Sequence, residues 1–164
     1  MADITYSLKA TERRGSPGIT PGKGDANALR MLLTSTVEVP ASASGTTIKF
    51  GRIPSNARIS SISKVEWDDL TTTGAPTLDI GLASVDSNVT SDPDALSNGH
   101  DVTGTGASAL VAVNRAEWGK PAWDFVSGLT ADPKGELDVY GSIVDAATAG
   151  LTGTVSVEIY GYLD

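Results

Sequence analysis

The segment TVSVEIYGYL (residues 154–163) decides the fold, because its side chains alternate in character along the whole stretch. Val155, Val157 and Ile159 fall on one face, and the residues between them are polar or aromatic. Successive side chains of a β-strand point to opposite faces of a sheet, so a period of two predicts a strand with one buried face. We therefore expect a sheet that is covered on one side.

The same alternation recurs upstream and predicts seven or eight strands joined by turns rich in Gly, Pro and Ser. The apolar residues predicted to face inward are Met31, Leu33, Val37, Val39, Ile48, Phe50, Ile59, Val65, Trp67, Leu78, Ile80, Leu82, Leu137, Val139 and Ile143. Residues 57–67 are read as the longest strand, and the continuous apolar run SALVAV (residues 108–113) as a central strand covered on both faces. The fold predicted for residues 31–164 is a single all-β domain, a β-sandwich of jelly-roll-like type.

Residues 84–107 interrupt this pattern with a long polar stretch. Asp92, Pro93 and Asp94 have the order of a helix start, with an N-cap, a proline at the first helical position and an acidic residue in the first turn. We expect one helical turn there and loop elsewhere in the stretch.

Composition excludes several classes of protein. The chain has 164 residues, a length typical of one domain, and no cysteine, so disulfides and thiolate metal sites are impossible. Its net charge of −8 disfavours nucleic acid and anionic membranes as partners. It contains neither an apolar run long enough to span a membrane nor a signal peptide, and we expect a soluble protein made in the cytoplasm.

Residues 1–30 are predicted to form an extended N-terminal arm. The stretch GSPGITPGKGD (residues 15–25) holds four glycines and two prolines, which exclude a helix or a central strand. Residues 1–30 carry five basic and three acidic residues (+2), and residues 31–164 carry seven and seventeen (−10). The arm either packs along its own domain or is ordered by a neighbouring chain.

Candidate contact residues in the arm are of two kinds. The apolar candidates, which would be buried on binding, are Ile4, Tyr6, Leu8 and Ile19. The basic candidates for contact with an acidic partner are Arg13, Arg14 and Lys23. Solvated charges on the arm are an equally good interpretation of the basic residues.

Tyr140, Tyr160 and Tyr162 lie on the polar phase of the last two strands. Tyrosine is enriched at protein interfaces, so contact with another subunit is one interpretation. The other is that the arm or the long polar stretch covers this second face.

No constellation of residues indicates catalysis. His100 is the only histidine, and with Asp101 it stands among small polar residues, so we expect a solvated loop histidine and no enzyme, metal site or cofactor. The acidic residues Asp86, Asp92, Asp94 and Asp101 match no calcium-loop spacing and are read as a solvated face. The pairs Asp68 with Asp69 and Gly104 with Gly106 match glycosidase and phosphate-loop patterns only weakly.

Trp118 and Trp123 flank Gly119 and Pro121 and admit two interpretations. Packing at the core or its edge is the first. The second is stacking on a sugar ring by an exposed loop.

Three segments resemble a known family. The segments RIPSNARISSISKVEWDDLTTTGAPTLDIGLAS, DPDAL and GTVSVEIYGYLD are similar in order and spacing to the small all-β decoration (cement) proteins of tailed-phage heads. The likeness spans roughly residues 48–163. The resemblance implies a virion structural protein on the capsid exterior, bound to the major capsid protein and favouring a homotrimer. The family has no catalytic residues to transfer. The alternative is a carbohydrate- or receptor-binding module of a phage tail or fibre that uses Trp118 and Trp123.

The resemblance gives the arm a role. About 25 extended residues reach about 80 Å, enough to cross from one capsid subunit to the next. Ordering the backbone costs about 1–2 kcal/mol per residue, which burial of the apolar candidates and backbone pairing must offset.

Overall fold

The computed structural model describes residues 29–42, 47–68, 70, 74–85, 91–110, 119–144 and 151–163. Nine strands and one short 3-10 helix make up the regular structure within these ranges. The strands are β1 (Arg30–Ser42), β2 (Thr47–Pro54), β3 (Ala57–Ile59), β4 (Lys64–Trp67), β5 (Thr77–Ser84), β6 (Asp92–Asp101), β7 (Gly106–Ala109), β8 (Glu136–Val144) and β9 (Leu151–Leu163). The 3-10 helix spans Ala122–Phe125. In the described ranges, no helix has the length and apolar character to cross a membrane.

The strands form two antiparallel sheets, which confirms the predicted all-β sandwich. The first sheet has the order β1-β9-β4-β7, with β3 also paired to β9, and the second has the order β2-β8-β5-β6. If β3 and β4 are taken as one interrupted strand, the first strand pairs with the last strand and the second with the second-last. The remaining strands pair in the same nested way up to β5 and β6 in the middle. Nested pairing of this kind, divided between two sheets, is the jelly-roll topology.

The core lies between the two sheets and comes from the inward phase of the strands. Leu78, Ile80 and Leu82 of β5 are fully buried, as are Leu137 and Val139 of β8. The inward residues of β9 are equally buried: Val155, Val157 and Ile159. Burying one such aliphatic side chain stabilises a fold by about 1.5–3 kcal/mol, so the alternation read from the sequence is the main determinant of the sandwich.

The prediction of one long strand over residues 57–67 is wrong. Ser60–Ser63 form a turn that separates β3 from β4, and Ile62 in that turn is exposed. Both short strands still pair with β9. The longest strands are β1 and β9, with 13 residues each.

The predicted helical turn at Asp92 is also wrong, because Asp92–Asp101 is strand β6. The Asp92 carboxylate accepts a hydrogen bond from the distant Ser127 N–H at 2.9 Å instead of capping a helix. β6 is an edge strand among the described residues, and Pro93, which has no N–H to donate, is tolerated at edges and bulges. Pro93 to Leu96 lie opposite the single residue Gly81, a wide irregularity in the ladder.

The run SALVAV does not form a central strand within the described residues. Its first residues belong to β7, which pairs with β4 alone among the described residues and there lies at the edge of the first sheet. Leu110 follows β7 and is fully buried, which accounts for the apolar character of the segment there. Residues 111–118 lie outside the described ranges.

Strand β1 is irregular near both ends, and at its start it differs from the predicted inward phase of Met31. A register shift occurs between Met31 and Leu33, so Met31 pairs with Tyr160 and its side chain lies on the outer face, 40% exposed, instead of facing inward. An extra residue in one strand reverses the phase of the side chains beyond it. The strand also continues past Pro40, where a second register shift replaces regular pairing.

Candidate interaction surface

The outer face of the first sheet consists of a polar ladder. Thr36 and Ser156 share a hydrogen bond of 2.7 Å between their hydroxyls across β1 and β9. The Lys64 ammonium lies 2.7 Å from the Glu66 carboxylate and 3.6 Å from that of Glu158. The Glu66 hydrogen bond is the main reason that the pKa of Lys64 lies above its ordinary value. Exposed pairs of this kind add little stability, and they keep this part of the face soluble.

One end of the same face is apolar. Met31 is directly opposite Tyr160, and Tyr162 follows two residues later on the same side of β9. Leu29 precedes β1 at this end, and Ile62 lies in the turn beside Tyr160. Four of these five side chains are large and exposed: Leu29 by 43%, Met31 by 40%, Ile62 by 54% and Tyr162 by 40%. We call Leu29, Met31, Ile62, Tyr160 and Tyr162 the apolar patch.

Hydrogen bonds fix the backbone beneath the apolar patch. The Ser63 hydroxyl donates to the Tyr160 carbonyl at 3.1 Å and accepts from the Tyr160 N–H at 3.0 Å. The Ser60 N–H donates to the same carbonyl at 2.8 Å. The Tyr160 hydroxyl donates to Glu158 at 3.3 Å, which joins the patch to the polar ladder. The turn between β3 and β4 therefore holds Tyr160 in place where regular strand pairing is interrupted.

Tyr140 does not belong to this surface. It is on β8 in the second sheet and is only 7% exposed, so the interpretation of Tyr140 as an accessible contact residue is wrong. Its neighbour across the ladder is Gly81, and the Asp92–Pro93 backbone lies directly over Gly81. A Cβ on Gly81 would come within 2.2 Å of the Asp92 carbonyl oxygen. At Tyr140, Asp92 and Pro93 of the long polar stretch thus cover the face, which is the other interpretation that the sequence left open for this residue.

The Tyr140 hydroxyl is buried without a hydrogen-bond partner of normal geometry in the described part of the chain. Burial raises the pKa of this phenol, the Asp92 and Asp94 carboxylates raise it further, and the neighbouring Ser91 hydroxyl lowers it. Asp94 accepts a hydrogen bond from the Asn98 amide at 2.6 Å. Because its side chain, including the hydroxyl, is buried, Tyr140 is a packing residue of the second sheet.

His100 is not a solvated loop residue. It lies on β6, its ring stacks on Trp67 with centroids 5.3 Å apart, and its Nε2 contacts the Ser97 hydroxyl. Burial lowers the pKa of His100, and the Asp79 carboxylate partly opposes that shift. Asp101 is occupied by hydrogen bonds to Thr103, at 2.9 Å to its N–H and 2.7 Å to its hydroxyl.

Ser97, His100 and Asp79 are thus neighbours on β5 and β6, although the sequence links the histidine to Asp101. Ser97 is 5% exposed and Asp79 is 9% exposed, and the Asp79 carboxylate accepts the Gly99 N–H at 2.7 Å. A nucleophile must reach its substrate, which the burial of Ser97 prevents. The cluster ties the edge strand β6 to the body of the sandwich.

The glycines of VTGTGAS have a packing role. The Trp67 indole N–H donates to the Gly104 carbonyl at 2.8 Å. The Gly106 backbone lies against the same ring, and a Cβ there would come within 2.5 Å of it. Gly106 is therefore required by the close approach of Trp67 and not by a phosphate group.

The remaining candidates from the sequence either pack and form hydrogen bonds within the fold or lie outside the described residues. Trp123 is half-buried and packs on the core, the first of its two interpretations, whereas Trp118 lies outside the described residues. A shallow polar depression holds the Asp132 carboxylate, which accepts the Ser55 hydroxyl at 2.5 Å and the Lys134 N–H at 2.8 Å. In the described ranges, no three His, Cys, Asp or Glu side chains are grouped as a metal site would require. Asp69 and Asp86 fall outside those ranges.

The arm candidates Ile4, Tyr6, Leu8, Arg13, Arg14, Ile19 and Lys23 lie outside the described residues and remain predictions. Of the three tyrosines, the structure brings Tyr160 and Tyr162 together and places Tyr140 on the other sheet. Three residues of the patch were not predicted from the sequence to lie at the surface: Leu29, Met31 and Ile62. The break in alternation at Ile62 was the one signal that indicated an irregular position.

The geometry defines a class: a two-sheet jelly roll with an exposed apolar patch on one outer face. No protein-family model matches the chain, and neither does any curated protein. Among solved structures, a chain of the cyanophage Pam1 capsid asymmetric unit has a similar fold, with a TM-score of 0.60 and 17% sequence identity. The match covers 92% of this chain and 96% of that chain, so the likeness extends over nearly the whole fold.

Proposed function

We propose that the chain is a virion structural protein, a decoration (cement) protein that binds the outside of a tailed-phage head and stabilises the lattice of the major capsid protein. The observation that carries the proposal is the shared fold with a chain of the cyanophage Pam1 capsid asymmetric unit over 92% of this chain. The resemblance of three sequence segments to phage decoration proteins supports it independently. The role is non-enzymatic and requires no cofactor.

The apolar patch is the surface with which the domain binds. Soluble monomers rarely expose contiguous apolar area without a function, and aromatic residues and methionine are enriched at the centres of protein interfaces. Tyr162 and Met31 provide these residue types on a rigid sheet. The lysine and glutamates of the adjoining polar ladder supply the polar rim that such interfaces have.

The partner is the major capsid protein, contacted by the apolar patch and by residues 1–30. A homotrimer of the chain places three such surfaces on one site, so modest single contacts add up to strong attachment. The net charge of −8 makes the packaged nucleic acid an unsuitable partner, in agreement with a position on the exterior of the head.

The test compares heads assembled with and without the chain. We expect the chain to sediment with intact heads, and heads without it to rupture at a lower temperature or a milder osmotic shock. Equal resistance of the two kinds of heads would contradict the stabilising role. Failure of the chain to sediment with heads would contradict the location.

A further inference from the structure

The apolar patch lies where the chain enters the domain. Arg30 begins β1 opposite Gly161, so residues 1–28 reach the domain at the end that carries Met31, Tyr160 and Tyr162. The arm is therefore attached to the domain beside the apolar patch.

The first residues of the chain have the pattern that fits such a surface. In DITYSLK (residues 3–9), Ile4, Tyr6 and Leu8 alternate with polar residues. Alternate residues of an extended strand are about 6.6 Å apart, which is also the spacing of Tyr160 and Tyr162 along β9. An extended segment can therefore set its three apolar side chains against the patch in one register.

We propose that in the free protein residues 3–9 of the same chain lie across the apolar patch and cover it. The covering is a property of the free protein, whereas its release when the domain docks on a head rests on the proposed function. Release would free the arm and expose the patch together, so both binding elements become available at the same step.

Chain length favours the same molecule over a second copy as the source of the segment. Twenty residues separate Leu8 from Leu29, and the Gly-rich stretch among them permits the chain to reverse direction. A flexible linker of that length spans about 25 Å. It gives the segment an effective concentration of about 1 mM, well above that of a dilute second copy.

Charge favours the same contact. Residues 1–30 carry a net charge of +2, and residues 31–164 carry −10. Opposite net charges attract the arm as a whole to the domain, although residues 3–9, with Asp3 and Lys9, carry no net charge themselves. Salt weakens that attraction.

The alternation supplies a matched pair of variants for the test, Tyr6→Asp on the apolar phase and Thr5→Asp on the polar phase. Both add the same charge to the full-length chain outside the sandwich. The readout is the rate at which hydrogen peroxide oxidises Met31, measured by mass spectrometry. Trypsin cleavage after Arg30 separates Met31 from Met1, the other methionine.

We expect Met31 to be protected in the unmodified chain and to be oxidised roughly tenfold faster in Tyr6→Asp. A tenfold change corresponds to an effective concentration of the segment about ten times the dissociation constant of its contact with the patch. Thr5→Asp should retain the protection, and the rates should not change with protein concentration. Equal rates in the unmodified chain and Tyr6→Asp would overturn the proposal. An equal effect of Thr5→Asp would also overturn it. Protection that is lost on dilution would overturn it as well, because it would mean that a second copy of the chain supplies the covering segment. Absence of head binding with Met31 protection intact would refute the proposed function alone.

Discussion

The Ser63 hydroxyl bonds to both backbone polar groups of Tyr160, donating to its carbonyl at 3.1 Å and accepting from its N–H at 3.0 Å. Ser63 is fully buried, so the side chain stands in for the missing strand partner between β3 and β4. This bridge positions the tyrosine end of β9, and with it the apolar patch.

Replacing Ser63 by alanine should therefore destabilise the fold. Ser63→Ala leaves the Tyr160 N–H without its acceptor in a buried place, which costs about 1–3 kcal/mol. Urea unfolding followed by tryptophan fluorescence measures the loss. The control is Ser61→Ala in the exposed part of the same turn, which should change stability by less than about 0.5 kcal/mol. Equal effects of the two variants would remove the structural role of the bridge.

Gly106→Ala should destabilise the first sheet. Its Cβ would lie 2.5 Å from the Trp67 ring, and the ring cannot retreat easily because it is hydrogen-bonded to Gly104 and stacked on His100. Overpacking of this kind costs about 1–3 kcal/mol, measurable as a lower melting temperature. Gly104→Ala is the control, because a Cβ there meets nothing within 4 Å. A Gly106→Ala protein as stable as Gly104→Ala would show that Trp67 moves freely.

Stability should decrease as the pH falls below about 6.5, through His100. Burial holds its pKa below the ordinary value, so the unfolded chain binds the proton more tightly than the folded one. The loss begins near the unfolded pKa and ends at the folded pKa. Carboxylates with lowered pKa, such as Asp101 and Asp132, act at lower pH, below about 4.

His100→Gln isolates this contribution, since the chain has no second histidine. The free energy of unfolding, measured between about pH 7.5 and 5.5, should slope downward in the unmodified protein and less steeply in the variant. Identical slopes would mean that His100 titrates alike in the folded and unfolded states.

Charge placed in the apolar patch should abolish attachment to heads. Tyr162→Asp puts a carboxylate where the patch would be desolvated, and it should reduce co-sedimentation by at least about tenfold. Val144→Asp is the matched control, because Val144 is similarly exposed, at 37%, but lies on β8 in the second sheet. Its binding should be unchanged. If Val144→Asp were the variant that lost binding, the contact would be on the opposite face of the sandwich.

The strands with regular alternation could be predicted from the sequence. β5, β8 and β9 have the expected inward residues, because a period of two leaves one choice of buried face. The errors fall where the period breaks. The register shift after Met31 reverses one side chain, and the bulge at Pro93 is specified by its distant contact with Gly81.

The candidate surface was predicted only in part, for a related reason. Tyr140 and Tyr160 occupy equivalent phases in the sequence, but the Asp92–Pro93 backbone lies over Gly81, the cross-strand neighbour of Tyr140, and Tyr140 is buried whereas Tyr160 is half-exposed. Local patterns carry no information about which distant segment covers a face. Leu29 and Ile62 were missed because exposure at a strand end or in a turn follows from tertiary contacts.

Cryo-electron microscopy of the native head tests the central claim most directly. We expect density for the jelly roll on the outside of the capsid, with Met31 and Tyr162 against the major capsid protein and residues 1–28 extended onto a neighbouring subunit. Density for the chain in the tail or inside the head, or a jelly roll attached by its second sheet, would contradict it.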